Sequence, residues 1–432
     1  MRRAAKWLAP LCFVLSLTTC IEDLTAPGDC PAFCPTSAIS VIDTVITGTV
    51  SGDSSFGRPN GYVDPDDATG LLAADFPSLG RDSRPILRTY KLQTRMALNP
   101  PDTTTGAVIG VDSLWLSFTV SGRDSAARNV RLGIYKLPLA IDSSTTFTDL
   151  SGAFAAPPVR TVNLDSLVAQ SGSRDPVTGD SVIVDTLNNR LRVLVKLDSA
   201  QAPLVAADTG KLAFGIRVSA DTLASVSVSS FEDRGQGPAV IWFVKVDSLG
   251  SSVAHRRLAT STARTPGGVN GFDGFVFLPS PAPIGTDMVV GGVPSVRTIM
   301  RLAVPRVIRD SARIILATLE LIPTTPPVGI AADSFQVIAY PVIADFGAKS
   351  PLSTALNDTT RIHITPVDTI RLNLTNVLIN WTLNGALPTT VFLRQVPEGA
   401  DFAELRFHSS LDTPYRPRLH VTYAPRYPEV VK

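Results

Sequence analysis

The side chains able to do chemistry in this 432-residue chain are few and scattered. Histidine occurs four times, as His255, His363, His408 and His420. A zinc site needs three or four His, Cys or carboxylate donors, and its usual signature is a close pair such as HExxH. None of the four sits in such a spacing. His408 and His420 flank one turn, which predicts solvated positions on adjacent strands. There is no GxSxG elbow, no Walker loop and no dinucleotide glycine fingerprint. Glu232, Glu320, Glu398 and Glu404 stand far apart, whereas glycoside hydrolysis needs two carboxylates at a defined separation. No catalytic residue is therefore assigned. The densest carboxylate cluster is "DPDD", with Asp64, Asp66 and Asp67. Hard oxygen donors of this kind suit a structural calcium ion, and an acidic solvated turn is the plainer alternative. "NGFDG", residues 270–274, is a weaker calcium candidate. Aromatic rings able to stack on sugars are also few. Trp115 and Trp242 lie in strongly apolar strands, where core packing is expected. Trp381 precedes "TLNG" in a loop-like or helical context, and Tyr62, Tyr415 and Tyr427 fall near turns.

The elements that must carry these residues read as strands. Net charge is +1 with 18% charged residues, so no basic field for nucleic acid is present. Gly (30) and Pro (34) are frequent, and Asp greatly outnumbers Glu. Asp favours turns where Glu favours helices, so the composition points to an all-β protein. The segments "RPILRTYKL", "DSLWLSFTVSG" and "NVRLGIYKLP" find counterparts later in "SVRTIMRLAV", "SARIILATLEL" and "SFQVIAYPV". Further on, Phe214 matches Phe392, Val226 and Val228 match Leu405 and Phe407, and Pro238 matches Pro417, at a nearly constant separation. Self-similarity of this length indicates two copies of one domain, since solenoid periods are much shorter. In each copy a proline opens the closing strand, in "GPAVIWFVKV" and "RPRLHVTY", where its missing N–H costs no ladder bond. Short alternating strands joined by turn-rich loops predict two tandem antiparallel β-sandwich domains, jelly-roll-like. "NVLINWTLNG", residues 376–385, predicts a helical turn, with "DSAQAPLVAADTG" in the same place of the first copy.

The N-terminus reads as a targeting segment. Arg2, Arg3 and Lys6 precede a short apolar run, residues 7–17, too short for a bilayer anchor. "LTTC" then resembles a bacterial lipoprotein signal, which implies lipidation of Cys20. Ordinary secretion, with cleavage a few residues away, is the alternative. Ile21 rather than Asp follows the cysteine, so the usual inner-membrane retention signal is absent. Cys30 and Cys34 in "CPAFC" are expected to form a small disulfide in an oxidising compartment. The organisation expected is signal 1–19, stalk 20–40, first sandwich 41–247, linker 248–265 and second sandwich 266–425.

"RTIMRLAVP", "ARIILATLEL", "VFLRQVPEGADFAELRFHSS" and the ending "RPRLHVTY" together resemble the DNRLRE family of secreted β-sandwich domains. The resemblance covers residues 270–423, with the first half a more divergent copy. Members resemble carbohydrate-binding modules, so it implies a non-catalytic module at the bacterial surface. The expectation is an exported, outer-membrane or surface-anchored lipoprotein, held to the membrane by its N-terminal lipid and needing no cofactor beyond structural calcium. Its ligand would be polysaccharide. A surface-protein partner is the alternative reading, and a hydrolase the remote one.

Overall fold

A computed structural model of the chain describes residues 41–47, 50–57, 63–76, 81–98, 104–124, 126–170, 172–197, 211–248, 253–263, 271–278, 285–326, 334–363, 369–399 and 403–426. Cys20, Cys30, Cys34, Tyr62, Tyr427 and the 198–210 stretch lie outside these residues. The expected all-β class holds, and every registered strand pair is antiparallel. No described helix is long and apolar enough to cross a membrane.

The second half shows most plainly how alternation becomes architecture. One sheet runs in the order β1 (Ile42–Thr47), β24 (Arg418–Pro425), β18 (Ala312–Leu321), β21 (Ile370–Asn373). The facing sheet runs β20 (Asp358–His363), β19 (Ser334–Pro341), β22 (Thr390–Val396), β17 (Val296–Leu302), β16 (Met288–Gly291), β23 (Glu404–Phe407), and β2 (Val50–Gly57) also pairs with β17. Alternate residues face inward. Leu319, Leu372, Leu419 and Val421 from one sheet meet Met300, Val337, Val391 and Phe407 from the other in one buried cluster. The helix Thr375–Leu383 closes one end, as expected for the 376–385 stretch, and buries Trp381. Asp358 holds its start, accepting from Val377 N at 2.9 Å.

In the first half, β6 (Thr105–Arg123) runs for 19 residues and carries the chain from one layer to the other. Along one part it pairs with β13 (Ala239–Asp247) and β10 (Arg190–Leu197), and its end pairs with β12 (Ala224–Ser229). From β12 the sheet continues through β3 (Gly70–Phe76), β4 (Arg81–Arg88), β11 (Ala213–Ser219), β7 (Arg131–Lys136) and β8 (Arg160–Asn163). Leu114, Phe118, Val195 and Trp242 pack against Leu71, Leu87, Phe214 and Val226 in its core.

Several strand pairs of the two halves correspond. Leu87 faces Phe214 across β4 and β11, and Met300 faces Val391 across β17 and β22. Tyr135 faces Gly215 as Tyr340 faces Phe392. The equivalent of Phe214 is therefore Val391, not Phe392. A shift of one residue exchanges the faces of a strand, and Phe392 indeed lies in a separate outer cluster.

Two expected boundaries change. Strands β1 and β2, placed by sequence in the first domain, pair with β24 and β17 of the second half. The expected linker carries β14 (Val253–Ser261), which pairs with β13, and β15 (Phe272–Phe277) beyond it pairs with β4. Each half is thus completed by a strand pair that precedes the other half in sequence.

Candidate functional site

The outer face of the β15–β4–β11–β7 layer is covered by the excursion 138–159. Its sequence "IDSSTTFTDL" is rich in short hydroxyl and carboxylate side chains, which bond to nearby backbone and fix turns. Asp142 Oδ1 accepts from Ser144 N at 2.9 Å and from Ser144 Oγ at 2.6 Å. Asp142 N donates to Thr145 Oγ1 at 2.9 Å. Asp149 Oδ2 accepts from Thr146 N at 2.9 Å and Thr146 Oγ1 at 2.7 Å. The Ser144 hydroxyl beside Asp142, and the Thr146 hydroxyl beside Asp149, hold both carboxyls below the usual range.

Apolar residues of the excursion pin this polar ridge to the sheet. Ile141, Leu150 and Phe154 pack with Ile86, Tyr135, Phe272 and Val276, and Phe147 lies against them. The Arg84 guanidinium sits 4.4 Å from the centre of the Phe147 ring and 4.7 Å from that of Phe154. Arg88 donates to Leu139 O and Ile141 O, each at 2.8 Å. Opposite the ridge, the 64–67 turn closes with Asp67 N donating to Asp64 O at 2.9 Å. It lies on β15 at Gly274, where a Cβ would stand 3.4 Å from Asp66 Cα. Between ridge and turn runs a groove of about 430 Å³. It is lined by Asp66, Asp142, Ser143, Ser144 and Thr148 together with Phe147, Phe272 and Val276.

The structure thus brings together the two segments that sequence offered to calcium. Asp64 and Asp67 are exposed. Asp273 Oδ2 is engaged elsewhere, by Phe231 N at 2.9 Å and Thr262 Oγ1 at 2.7 Å. Among the described residues no three His, Cys, Asp or Glu side chains gather to hold a metal.

The histidines separate. His408 follows β23, and His420 lies in β24 of the facing sheet, so they are not on adjacent strands as expected. His408 Nδ1 pairs with Asp412 Oδ2 at 2.5 Å, and its ring lies 4.7 Å from Tyr415. His420 Nε2 lies 2.9 Å from Glu320 Oε2. His255 Nδ1 lies 2.7 Å from Asp112, and His363 is exposed.

The tryptophans divide as well. Trp242 is buried, its Nε1 donating to Thr260 Oγ1 at 2.8 Å, and Trp381 is buried in the helix Thr375–Leu383. Trp115 departs from its expected core position. It is half-buried on the outer side of β6, with the Arg174 guanidinium 5.2 Å over its ring. Odd positions of β6 face outward there, while Leu114 and Leu116 face the core.

Phe147 and the 142–149 ridge have no place among the residues the sequence offers to chemistry, and Phe272 enters only within the 270–274 calcium candidate. The available signal was a phenylalanine set within a run of seven Ser, Thr and Asp residues, an apolar side chain where only turn residues were needed. No protein-family model matches the chain, and no curated protein matches it in sequence.

Proposed function

We propose that this chain is a non-catalytic binding protein of the bacterial envelope, and that its groove takes carbohydrate. One observation carries the reading: the groove lining combines Ser, Thr and Asp residues, Asp142 with its lowered pKa among them, with the half-buried Phe147. A sugar offers the same mixture, hydroxyls at its edge and apolar C–H on its face. Binding fits better than hydrolysis. A glycosidase needs an acid with a raised pKa, and the Ser144 contacts push Asp142 the other way. The resemblance to DNRLRE domains supports the same reading. The signal-like N-terminal sequence supports export, with lipidation at Cys20, which would set the binding site at the envelope surface.

A protein partner is the second reading. It draws on β1, an edge strand with Ile42 38% and Val45 48% exposed. Unpaired edges of this kind invite strand addition.

The test is a glycan array with the region 41–432, wild type against Phe147→Ala and Ser143→Lys. Phe147→Ala removes the ring, whereas Ser143→Lys fills the groove from an exposed rim position without touching packing. A hit lost in both variants supports the groove. A hit kept in both places the sugar elsewhere, and a blank array with intact folded protein moves the weight to the edge strand.

A further inference from the structure

The pairing order of the chain carries an inference independent of any ligand. Call the strand pairs donors and the remaining strands of each half acceptors. Along the sequence the order is donor β1–β2, acceptor β3–β13, donor β14–β15, acceptor β16–β24. The second donor completes the acceptor before it, through β14 on β13 and β15 on β4. That repeat is self-contained. The last acceptor has no described donor after it, and the N-terminal pair fills the place, through β1 on β24 and β2 on β17.

The two sites are built alike down to one carboxylate. Asp273 of β15 accepts from Phe231 N, just beyond β12. Asp53 of β2 accepts from Ser410 N at 2.6 Å, just beyond β23. Register makes these pairs equivalent: Asp273 faces Leu87 and Asp53 faces Met300, the matching core positions of β4 and β17. Other polar contacts fix β2 in place. Ser55 Oγ accepts from Val289 N at 2.8 Å and lies 3.0 Å from Thr298 Oγ1. Val50 enters the core itself. On β1, Asp43 Oδ1 accepts from Thr422 Oγ1 at 3.0 Å.

We propose that the segment Ile42–Gly57 is an exchangeable donor, and that a second copy of this chain can supply it to the C-terminal acceptor. The strand pairing and polar contacts just described are made with the C-terminal half, and none depends on which chain the segment comes from. Only the connection 58–62 changes between closure within one chain and exchange between two, the 64–67 turn staying on β15, and this is the low-cost route to a swapped dimer. Main-chain pairing supplies affinity, while Asp53 and the alternate inward residues supply register. A short connection gives the chain's own segment an effective concentration on the order of mM, so closure within one chain dominates in dilute solution.

The experiment uses the full chain with a protease site placed in the 58–62 stretch. After folding and cleavage, the freed segment is expected to co-elute with the remainder. It should then exchange for a fluorescent peptide of residues 41–57. Uncut protein should take up at least 100-fold less peptide, and an Asp53→Ala peptide should bind about 5-fold more weakly, the loss of one hydrogen bond. The substitution sits in the peptide, so folding of the acceptor is not at stake. Loss of the segment on cleavage without rebinding, or equal uptake by cut and uncut protein, overturns the acceptor. For the second copy, two full-length forms of different mass are refolded together at hundreds of µM. Hybrid dimers that form on joint refolding, and not on mixing folded proteins, support exchange. Their absence overturns supply by a second copy.

Discussion

The two halves hold the same arginine over the same layer and use it differently. In the first, Arg88 donates to two carbonyls of the excursion, Leu139 O and Ile141 O. In the second, Arg301 forms a bidentate pair with Asp345, at 2.6 and 2.9 Å. The carbonyl grip needs no acidic partner, so the first excursion can turn Asp142 and Asp149 inward on its own Ser and Thr residues and stand up as a ridge. The carboxylate grip draws the second loop down, and Asp345 also accepts from Thr390 Oγ1 and Gly347 N. Gly347 there has φ +63°, a left-handed turn residue that a side chain would strain. A framework repeated in register therefore offers a polar groove on one copy and a clamped loop on the other. The difference lies in where the arginine finds its acceptors.

The largest effect that would sharpen this comparison lies in the cores. Trp242 and Val421 hold the same inward position of the equivalent strands β13 and β24. Trp242→Ala should destabilise the first half by about 3–5 kcal/mol, since a large buried ring and its bond to Thr260 are lost together. Val421→Ala should cost about 2 kcal/mol, two methylenes plus a small cavity. Chemical denaturation followed by hydrogen exchange on each half separates the two. Equal losses would mean that the halves unfold as one unit.

The donor aspartates come next. Asp273 is buried and satisfies both Phe231 N and Thr262 Oγ1. Asp273→Ala orphans two buried donors and should cost about 2–3 kcal/mol. Asp53 is half-buried and holds Ser410 N, so Asp53→Ala should cost about 1 kcal/mol. The reverse ranking, read from denaturation midpoints, would break the equivalence of the two donor sites.

Much of this was legible in the sequence, and the limits have a physical cause. Alternation identified β13, β24 and most strands between, because period two is a local property. It could not say which strand each one joins. "VIDTVIT" alternates equally well for either half, and only tertiary pairing assigns β1 to β24. The linker read as polar because β14, an edge strand, keeps alternate residues in solvent. Matching Phe214 to Phe392 followed residue type, whereas register follows burial, and the two differ by one residue. Trp115 sits among apolar neighbours in sequence yet points outward, since β6 alternates through it. The groove was the least legible feature. Its walls come from three distant segments, and nothing local announces that the 64–67 turn will lie across β15.

The next smaller effect comes from salt. Raising it to about 1 M shrinks the screening length to about 3 Å. Arg301 is 40% exposed, so its pair with Asp345 is worth below about 1 kcal/mol and weakens further. Amide exchange in residues 343–352 should quicken in high salt, while residues 139–141, held through carbonyls, should change little. An equal response in both loops would mean that the arginines grip them alike.

The smallest expected effect is on pH, and it isolates the clamp. The Arg301 hydrogen bonds hold Asp345 below its ordinary 3.8, against an opposing push from burial. A carboxyl depressed in the folded state stabilises it above the ordinary value, and that contribution fades as pH falls through the lower, folded one. Protection of residues 343–352 should therefore hold at pH 5 and decline below 3.8. Asp345→Asn should remove this decline, because the amide neither titrates nor pairs with the guanidinium charge. Arg301→Ala should flatten it from the other side, by returning Asp345 towards its ordinary value. Residues 139–141, which Arg88 holds through carbonyls, provide the comparison, read beside the lowered carboxyl of Asp142 next to them. A decline that survives Asp345→Asn would show that a titrating group other than this charge pair carries the pH dependence of the loop.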